Sequence, residues 1–273
     1  MDIDRDTAIN CAVIQMNSGA DQDENLRRAG ELVARAAADG AELAALPENF
    51  ARMRKSDREA IIGEREGGPV ASWARKTAAA EGIYLLAGSY PEAGPHGDRS
   101  YNTSILVDPA GRVLAAYRKI HLFDVAVPGG ETHRESQWIL PGREAVTAET
   151  PLVPMGLSIC YDLRFPELYR RLAELGARII FAPAAFTERS GRAHWEILVR
   201  ARAIENQVFL VAPAQEGGHP GGRRTYGHSL IVDPWGEILA EIPEGEGVAL
   251  ARLDLSNQAR IRQAMPCLEH RVL

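Results

Sequence analysis

The sequence has no long apolar run and no dense cluster of basic residues. No apolar stretch approaches the roughly 20 residues that a helix needs to cross a bilayer. The formal net charge is −6, and no basic patch is interleaved with aromatic residues, which is unlike a nucleic-acid-binding protein. We therefore expect neither a membrane protein nor a nucleic-acid partner.

Cysteine is also scarce. The three cysteines, Cys11, Cys160 and Cys267, lie far apart, and the chain contains no Cys-x-x-Cys pair. This pattern argues against a disulfide framework or a zinc site and predicts free thiols in a reducing compartment. Residues 1–6 are acidic and polar, which is unlike a signal or transit peptide. We therefore expect a cytoplasmic protein without a metal.

The composition is otherwise typical of a globular protein with a large core. Of its 273 residues, 45% are hydrophobic and 25% are charged, and this length suffices for one large domain or two small ones. Apolar periodicity predicts an alternation of strands and helices in the first half. The elements are a strand at 8–15, a helix at 21–38, strands at 42–46 and 83–87 around a helix at 70–80, and a hairpin at 101–107 and 112–119.

The second half repeats this order. It predicts a strand at 155–160, a helix at 166–175, a strand at 178–182, a helix at 194–206, a strand at 208–212, a loop at 217–224, a hairpin at 226–232 and 237–242, and a last strand at 248–253. Many residues from Tyr101 to Ala115 recur 125 positions later, from Tyr226 to Ala240. Two unrelated hairpins with a common turn could explain that match, but residues 40–50 also recur, as residues 176–186.

An internal duplication explains all of these matches together. Two βαβαββ halves, each with a sheet and outer helices, would bury their sheets against each other. We therefore predict an α/β fold, a four-layer α-β-β-α sandwich. No Pro/Ser-rich linker divides the chain, so we expect a single domain over residues 1–273, with its core at about 8–255 and a C-terminal extension at 256–273.

Cys160 lies where a predicted strand turns into a helix that begins at Pro166. Such a turn exposes a side chain at the end of a sheet and leaves backbone N–H groups free to bind negative charge. This position predicts a nucleophile, while the alternative is a small buried hydrophobic residue. None of the seven histidines lies in a pattern that identifies it as the base of a Cys–His dyad.

Two further polar residues follow predicted strands. Glu48 comes after the strand at 42–46, and Lys119 ends the strand at 112–119 in a segment with apolar residues on both sides, Tyr117 and Ile120. Each has an ordinary alternative, since Glu48 could be an acid at a helix N-terminus and Lys119 a solvated side chain. Because sheet proteins place site residues at strand ends, we expect Glu48, Lys119 and Cys160 to meet in one pocket.

Three segments carry a resemblance to a known family. They are residues 46–49 (Leu-Pro-Glu-Asn), 117–122 (Tyr-Arg-Lys-Ile-His-Leu) and 159–167 (Ile-Cys-Tyr-Asp-Leu-Arg-Phe-Pro-Glu). Residues 183–186, 193–196 and 200–206 extend the match. The ordered set resembles the nitrilase (carbon–nitrogen hydrolase) superfamily over nearly the whole chain. The resemblance implies an α-β-β-α sandwich, a Glu-Lys-Cys triad, and no metal or organic cofactor.

The resemblance also implies a role for each residue. Glu48 would be the general base that takes the cysteine proton and later activates water. Lys119 and the Tyr161 backbone N–H would stabilise the oxyanion, and Glu135 would orient Lys119 and the leaving amine. Glu131, in the same loop, is a weaker candidate for that last role. The cysteine would attack an amide carbonyl and form a thioester, which water then hydrolyses.

Within the superfamily the chain is most similar to the Nit branches, and among these to the deaminated-glutathione amidases. Residues 226–229, 232–236 and the short loop at 214–217 carry this similarity. We therefore expect a small-molecule amide substrate, deaminated glutathione, which would yield 2-oxoglutarate and cysteinylglycine. The alternatives are an ω-amidase that acts on 2-oxoglutaramate and a non-catalytic binding module on the same fold.

A substrate of this kind carries a carboxylate that needs a cationic partner. Arg164 is the candidate because its planar guanidinium suits a carboxylate, although it could instead pair with Asp162 or Glu167. Phe186 and Thr187, after another strand end, could line the acyl pocket or simply pack.

Residues 191–196 and the C-terminal end are interpreted in terms of the scaffold, the substrate pocket and oligomer formation. We interpret residues 194–196 (His-Trp-Glu) mostly as scaffold at a helix start. Residues 191–193 (Gly-Arg-Ala) depart from the family's Gly-Pro-Ala, and the chain ends at Leu273, where relatives often continue. We expect a homodimer or a higher homo-oligomer.

Overall fold

Two sheets with the same strand order lie at the centre of the molecule. The computed structural model describes residues 8–55, 59–126 and 132–272. The N-terminal half contributes β1 (Ala8–Gln15), α1 (Gln22–Ala38), β2 (Leu43–Ala45), α2 (Pro69–Glu81), β3 (Tyr84–Ala93), β4 (Ser100–Val107) and β5 (Val113–Arg118). These strands pair in the order β1-β2-β3-β4-β5, with the first three parallel and the last three antiparallel.

A segment of short strands leads to the second half. It contains β6 (Asp124–Ala126), β7 (Thr132–Arg134), β8 (Ile139–Leu140) and β9 (Val146–Ala148). The elements that follow are β10 (Met155–Leu157), α3 (Pro166–Glu174), β11 (Ile179–Phe181), α4 (Glu188–Asn206), β12 (Phe209–Ala212), β13 (Glu216–Gly218), β14 (Arg224–Tyr226), β15 (Ser229–Val232), β16 (Ile238–Ile242), β17 (Gly247–Asp254) and α5 (Leu255–Ala264).

The second sheet repeats the topology of the first. Its strands pair in the order β10-β11-β12-β15-β16, again with three parallel strands followed by antiparallel ones. The predicted duplication is therefore confirmed. The predicted βαβαββ unit is one strand too short, because each half ends in three successive strands of its sheet instead of two. Strand β17 returns to the first sheet and pairs antiparallel with the whole of β1.

The alternation of side chains on β1 shows how the layers pack. Cys11 and Val13 face the core between the sheets, which also contains Leu157 of β10. Ala12 and Ile14 face the other way and join a second cluster with the apolar faces of α1 and α2. Helices α3 and α4 cover the outer side of the second sheet. The predicted α-β-β-α sandwich is thus confirmed.

The duplication extends to single hydrogen bonds. Arg75 of α2 donates from Nε to the carbonyl of Gly111, at 2.9 Å, in the turn between β4 and β5. Arg200 of α4 makes the same bond to Gly236, also at 2.9 Å, in the turn between β15 and β16. Both glycines have positive φ, 74° and 92°, which is a backbone conformation that glycine adopts without steric cost. Each helix is therefore tied to its own hairpin in the same way.

Helix α4 begins at Glu188, six residues before the predicted start at His194. The predicted start was wrong because residues 188–193 already belong to the helix. In the structure Gly191 is buried inside the first turns of the helix, and a Cβ atom there would meet the Tyr226 side chain at 2.2 Å. The close approach of Tyr226 therefore explains the glycine. The predicted loop at 217–224 is also wrong in part, since β13 and β14 pair there as a hairpin.

The C-terminal extension contains a helix that the sequence analysis did not predict. Helix α5 follows Asp254, whose side chain accepts hydrogen bonds from the N–H groups of Ser256 and Asn257, both at 2.9 Å. Gln258 of this helix is buried and hydrogen-bonds to Arg178, which holds α5 on the second sheet. None of the helices in the described ranges is both long enough and apolar enough to cross a membrane.

Candidate active site

A buried lysine between two glutamates is the centre of the candidate site. The Nζ atom of Lys119 lies 3.0 Å from Oε1 of Glu48 and 3.1 and 3.0 Å from the two oxygens of Glu135. Lys119 is 2% exposed and Glu48 is 3% exposed. A cation can be buried this deeply when carboxylates face it at hydrogen-bond distance.

The local chain path brings these side chains together. Glu48 follows β2, Lys119 follows β5 and Cys160 follows β10, so all three lie just beyond strand ends. The carbonyl of Glu48 accepts a hydrogen bond from Gln215 Nε2 at 3.0 Å, which ties this turn to the second half of the molecule. Glu135 is fixed by the N–H of Phe123, which lies 2.6 Å from its Oε2.

Cys160 lies on a tight turn between β10 and α3. Its φ is 49°, a left-handed conformation that is uncommon for residues other than glycine and that clusters at functional sites. Its N–H donates to the carbonyl of Pro183 at 2.9 Å, and a short 3-10 helix over residues 160–164 follows. Because the first N–H groups of a helix lack carbonyl partners within it, the backbone after Cys160 is suited to hold an oxyanion.

The pKa of the Cys160 thiol is raised well above its usual range. Burial is the main cause, and the negative charge of Glu48 adds to it, while Lys119 acts in the opposite direction. The resting group near neutral pH is therefore a thiol, with Glu48 as its acidic neighbour. Such a pair can form a nucleophile only as the proton passes from sulfur to the carboxylate.

The pKa of Lys119 is also raised well above its usual range. Burial alone would lower the pKa of this ammonium group, but the charges of Glu135 and Glu48 outweigh burial. Lys119 therefore stays charged across the physiological range. Its charge stabilises the fold at every pH below the ordinary lysine pKa, and that contribution is lost only as the pH rises through the raised value.

Asp162 joins the cysteine turn to the lysine strand, a role that the sequence did not reveal. Its Oδ2 accepts from the N–H of Ile159 at 2.9 Å and from the Tyr117 hydroxyl at 2.7 Å. Its Oδ1 accepts from the His121 N–H at 3.0 Å and lies 2.7 Å from His121 Nδ1. His121 in turn stacks on Phe165, with ring centroids 3.6 Å apart. This network fixes the position of the thiol relative to Lys119.

Asn102 is a second residue that the sequence analysis missed. Its Nδ2 donates to Glu48 Oε1 at 2.9 Å, and its carbonyl accepts from the Lys119 N–H at 2.9 Å. Asn102 lies on β4, which is part of the repeated hairpin and was therefore visible in the sequence. Nothing in the sequence, however, pairs Asn102 with Glu48. Glu131, the other candidate for the second glutamate, lies outside the described residues.

The four predicted catalytic residues and the four predicted substrate-binding residues share one cavity of about 310 Å³. They are Glu48, Lys119, Glu135, Cys160, Tyr161, Arg164, Phe186 and Thr187. The cavity extends past the thiol to residues 51–54 and 60–64. Within the part of the chain that the structure describes, no group of three or more His, Cys, Asp or Glu side chains could hold a metal ion.

Arg164 lies against aromatic rings at the wall of this cavity. Its guanidinium carbon is 5.2 Å from the ring centre of Phe186 and 5.9 Å from that of Tyr161. Its Nη1 is 3.3 Å from His194 Nδ1, and it forms no ion pair with any described residue. The alternative pairing with Asp162 is absent because Asp162 binds Tyr117 and His121 instead.

Comparison with known proteins identifies the family. The family model of carbon–nitrogen hydrolases matches residues 10–263. The chain belongs to the carbon–nitrogen hydrolase family. The predicted resemblance to this superfamily is thereby confirmed, and with it the prediction of an enzyme that acts on carbon–nitrogen bonds.

Individual members of the carbon–nitrogen hydrolase family resemble the chain over nearly its whole length. The deaminated glutathione amidase of Synechocystis sp. (strain PCC 6803 / Kazusa) is 43% identical over 265 residues, which are 96% of this chain and 97% of that protein. The ω-amidase NIT2 of Mus musculus is 37% identical over 95% of this chain and 94% of its own. The crystal structure of Saccharomyces cerevisiae Nit3, a member of branch 10 of the nitrilase superfamily, has a TM-score of 0.83 with 32% identity and covers 95% of each chain.

The buried charges of this carbon–nitrogen hydrolase predict a pH-dependent loss of stability in Lys119→Met. Removing one partner of a buried pair costs about 3–5 kcal/mol. The loss should be smaller at about pH 5 than at about pH 8, because the carboxylates that lose their cation take up a proton at the lower pH. Urea unfolding of the variant and the wild type at both pH values measures this difference.

The control for this experiment is Lys119→Met combined with Glu135→Gln, which removes one of the two carboxylates. The double variant should be more stable than Lys119→Met at the higher pH. An equal loss of stability at both pH values in Lys119→Met would contradict the arrangement of charges described above.

Proposed function

We propose that this carbon–nitrogen hydrolase is an amidase that converts deaminated glutathione into 2-oxoglutarate and cysteinylglycine. The proposal is based on one cavity that is lined by Glu48, Lys119, Glu135 and Cys160. The same cavity is lined by Arg164, which has no ionic partner among the described residues. The name of the Synechocystis relative supports the choice of substrate.

The first step is attack of the Cys160 sulfur on the amide carbonyl. As the carbon–sulfur bond forms, the thiol proton passes to Glu48, and the carbonyl π electrons move to the oxygen. Lys119 and the Tyr161 N–H stabilise that oxyanion, since preorganised donors are most effective where charge develops. The raised pKa of the thiol explains why a base is needed in this step.

The second step expels the amine. The oxyanion reforms the carbonyl, the carbon–nitrogen bond breaks, and Glu48 gives its proton to the leaving nitrogen. A thioester between Cys160 and the 2-oxoglutaryl group remains. Water then attacks the thioester while Glu48 takes up a proton, and the sulfur leaves and regains a proton from Glu48. Glu135 keeps Lys119 in place through both steps by contacting Nζ with both of its oxygens.

Arg164 binds the carboxylate of the 2-oxo acid in this proposal. Its guanidinium lies against Phe186 and Tyr161, and a carboxylate at the cavity wall would supply the anion that no described residue supplies. Phe186 and Thr187 line the same part of the cavity and would contact the methylene groups of the acyl chain. An arginine–carboxylate pair of this kind gives both orientation and affinity.

The ω-amidase alternative has the same acyl group and differs in the leaving group. 2-Oxoglutaramate releases ammonia, whereas deaminated glutathione releases a dipeptide. The cavity extends past Glu48 to Arg52, Met53 and Ile61, which leaves more space than ammonia needs. This extension favours the larger substrate over the shorter one, whereas the meeting of Glu48, Lys119 and Cys160 argues against a role in binding without catalysis.

The substrate is tested by kcat/KM on deaminated glutathione and on 2-oxoglutaramate. We expect the larger amide to be preferred and Cys160→Ala to be inactive on both, because the thiol forms the covalent bond. Cys11→Ala, which changes a buried cysteine in the core, serves as the control for loss of a thiol. A preference for 2-oxoglutaramate would favour the ω-amidase, and activity in Cys160→Ala would reject the mechanism.

The role of Arg164 predicts a loss that depends on the carboxylate of the substrate. Arg164→Met should lower kcat/KM for deaminated glutathione by about 10- to 100-fold, the range that corresponds to a lost hydrogen bond to a charged group. The activity on an amide without that carboxylate should change little. A similar loss on both amides would show that Arg164 acts on the scaffold and not on the substrate.

We propose in addition that the chain forms a homodimer. Ile197 and Ile204 of α4 are 70% and 47% exposed, and Trp235 in the neighbouring turn is 56% exposed. The two isoleucines are seven residues apart and so lie on one face of the helix. Exposed apolar patches of this kind are typical of interfaces, and a second copy in two-fold symmetry is the commonest partner. Sedimentation velocity of the wild type and Ile197→Arg tests this, since the variant should be monomeric.

A cytoplasmic location is the last part of the proposal. Cys11, Cys160 and Cys267 are free thiols, which is usual in reducing compartments. Oxidation of the nucleophilic sulfur would also block the reaction. Cell fractionation with an antibody against the chain would test this location, and recovery in an oxidising compartment would argue against it.

A further inference from the structure

Glu48 is held asymmetrically by its neighbours. Lys119 Nζ and Asn102 Nδ2 both bind the same oxygen, Oε1, at 3.0 and 2.9 Å. A carboxylate oxygen has two lone-pair sites, so these two donors occupy Oε1 fully. No N–H donor among the described residues binds Oε2. The two oxygens of the base are therefore not equivalent.

The orientation of the Asn102 amide follows from its partner. A carboxylate facing a cation only accepts hydrogen bonds, so Nδ2 and not Oδ1 must face Glu48. The Oδ1 atom is buried and has no hydrogen-bond partner among the described residues. A buried oxygen without a partner is unfavourable for stability, so the scaffold gives no reason for an amide at this position.

We propose that Asn102 selects the reactive oxygen of the base. Together with Lys119 it occupies Oε1 of Glu48, so that Oε2 alone exchanges protons with the Cys160 thiol, the leaving nitrogen and the hydrolytic water. This inference rests on the proposed amidase mechanism. Asn102 is a positioning residue, because it acts through Glu48 and not on the substrate.

The reaction sequence explains why one fixed oxygen is useful. The same carboxylate takes a proton from sulfur, gives it to nitrogen, takes one from water and returns it to sulfur. If the carboxylate could rotate, a proton received on one oxygen could end on the side away from the next acceptor. Lys119 alone holds Oε1 through a flexible ammonium group, whereas the planar amide of Asn102 adds a second, directional bond.

The test uses Asn102→Leu, which has a similar size and no donor, and Asn102→Ala as a second variant. We expect kcat/KM to fall on the order of 10- to 100-fold, as for a small misplacement of a catalytic group. KM should change little because the substrate does not contact this residue. The acid limb of the kcat/KM profile should move to higher pH by roughly one unit, because the ionised base loses a hydrogen bond.

Ser104 provides the matched control. It lies two residues further along β4 on the same face, it is buried, and its hydroxyl has no hydrogen-bond partner among the described residues. Ser104→Ala should therefore keep the wild-type rate and pH profile. The Tm of both Asn102 variants should fall by only a few degrees, since the lost hydrogen bond to Glu48 is partly offset by removal of the buried oxygen that has no partner.

Three outcomes separate the possibilities. A wild-type pH profile in both Asn102 variants, whatever their rates, would overturn the inference. A large fall in Tm with a rate loss that follows the folded fraction would show a structural role and would overturn it as well. Wild-type activity in Cys160→Ala would reject the proposed function itself, which is a different result from either of these.

Discussion

The burial of one lysine between two glutamates is the constraint on which the rest of the structure depends. Glu48, Lys119 and Glu135 carry one more negative charge than positive charge, and the side chains of Lys119 and Glu48 are almost fully buried. Charges in such a place are tolerated only when each has a well-placed partner. The sheets, the turn after β2 and the segment that carries Glu135 must therefore hold these three side chains at hydrogen-bond distance from one another.

The need to hold these charges next to the thiol also explains why the two halves contact each other at the site. The three charged residues come from the first half and the connecting segment, whereas Cys160 comes from the second half. Asp162 joins them because it binds the backbone beside the cysteine and also Tyr117 and His121 beside the lysine. Burial and, after it, the negative charge of Glu48 keep the thiol protonated, so the glutamate both adds to the high pKa of the thiol and accepts its proton.

The features that the sequence predicted well are those with a local or repeated signal. The bounds of β1 were predicted to the residue, and the duplication was visible because the two hairpins share their turn residues. Glu48, Lys119 and Cys160 were identified because each follows an apolar strand, and the structure brings them together. Their catalytic roles remain a proposal.

The features that were missed depend on contacts between distant parts of the chain. Asp162 was considered only as a possible partner of Arg164, and three of its four contacts, those with Tyr117 and His121, exist only after the halves associate. Asn102 gave no signal because its partner, Glu48, is 54 positions away. The predicted start of α4 was wrong because the helix also includes Gly191. A glycine is needed there since the Tyr226 side chain, from the β13–β14 hairpin, packs directly against it. Helix α5 could have been found, since Asp254 is an ordinary N-cap residue.

The central claim is that Cys160 attacks the substrate while the glutamate–lysine network handles the charge and the proton. It is tested most directly by mixing the enzyme with deaminated glutathione, quenching with acid within the first turnover, and measuring the mass of the peptide that contains Cys160. The account predicts a peptide that carries the mass of one 2-oxoglutaryl group in the wild type and none in Cys160→Ala. Turnover without any adduct on Cys160 in the wild type, or an adduct on another residue, would contradict it.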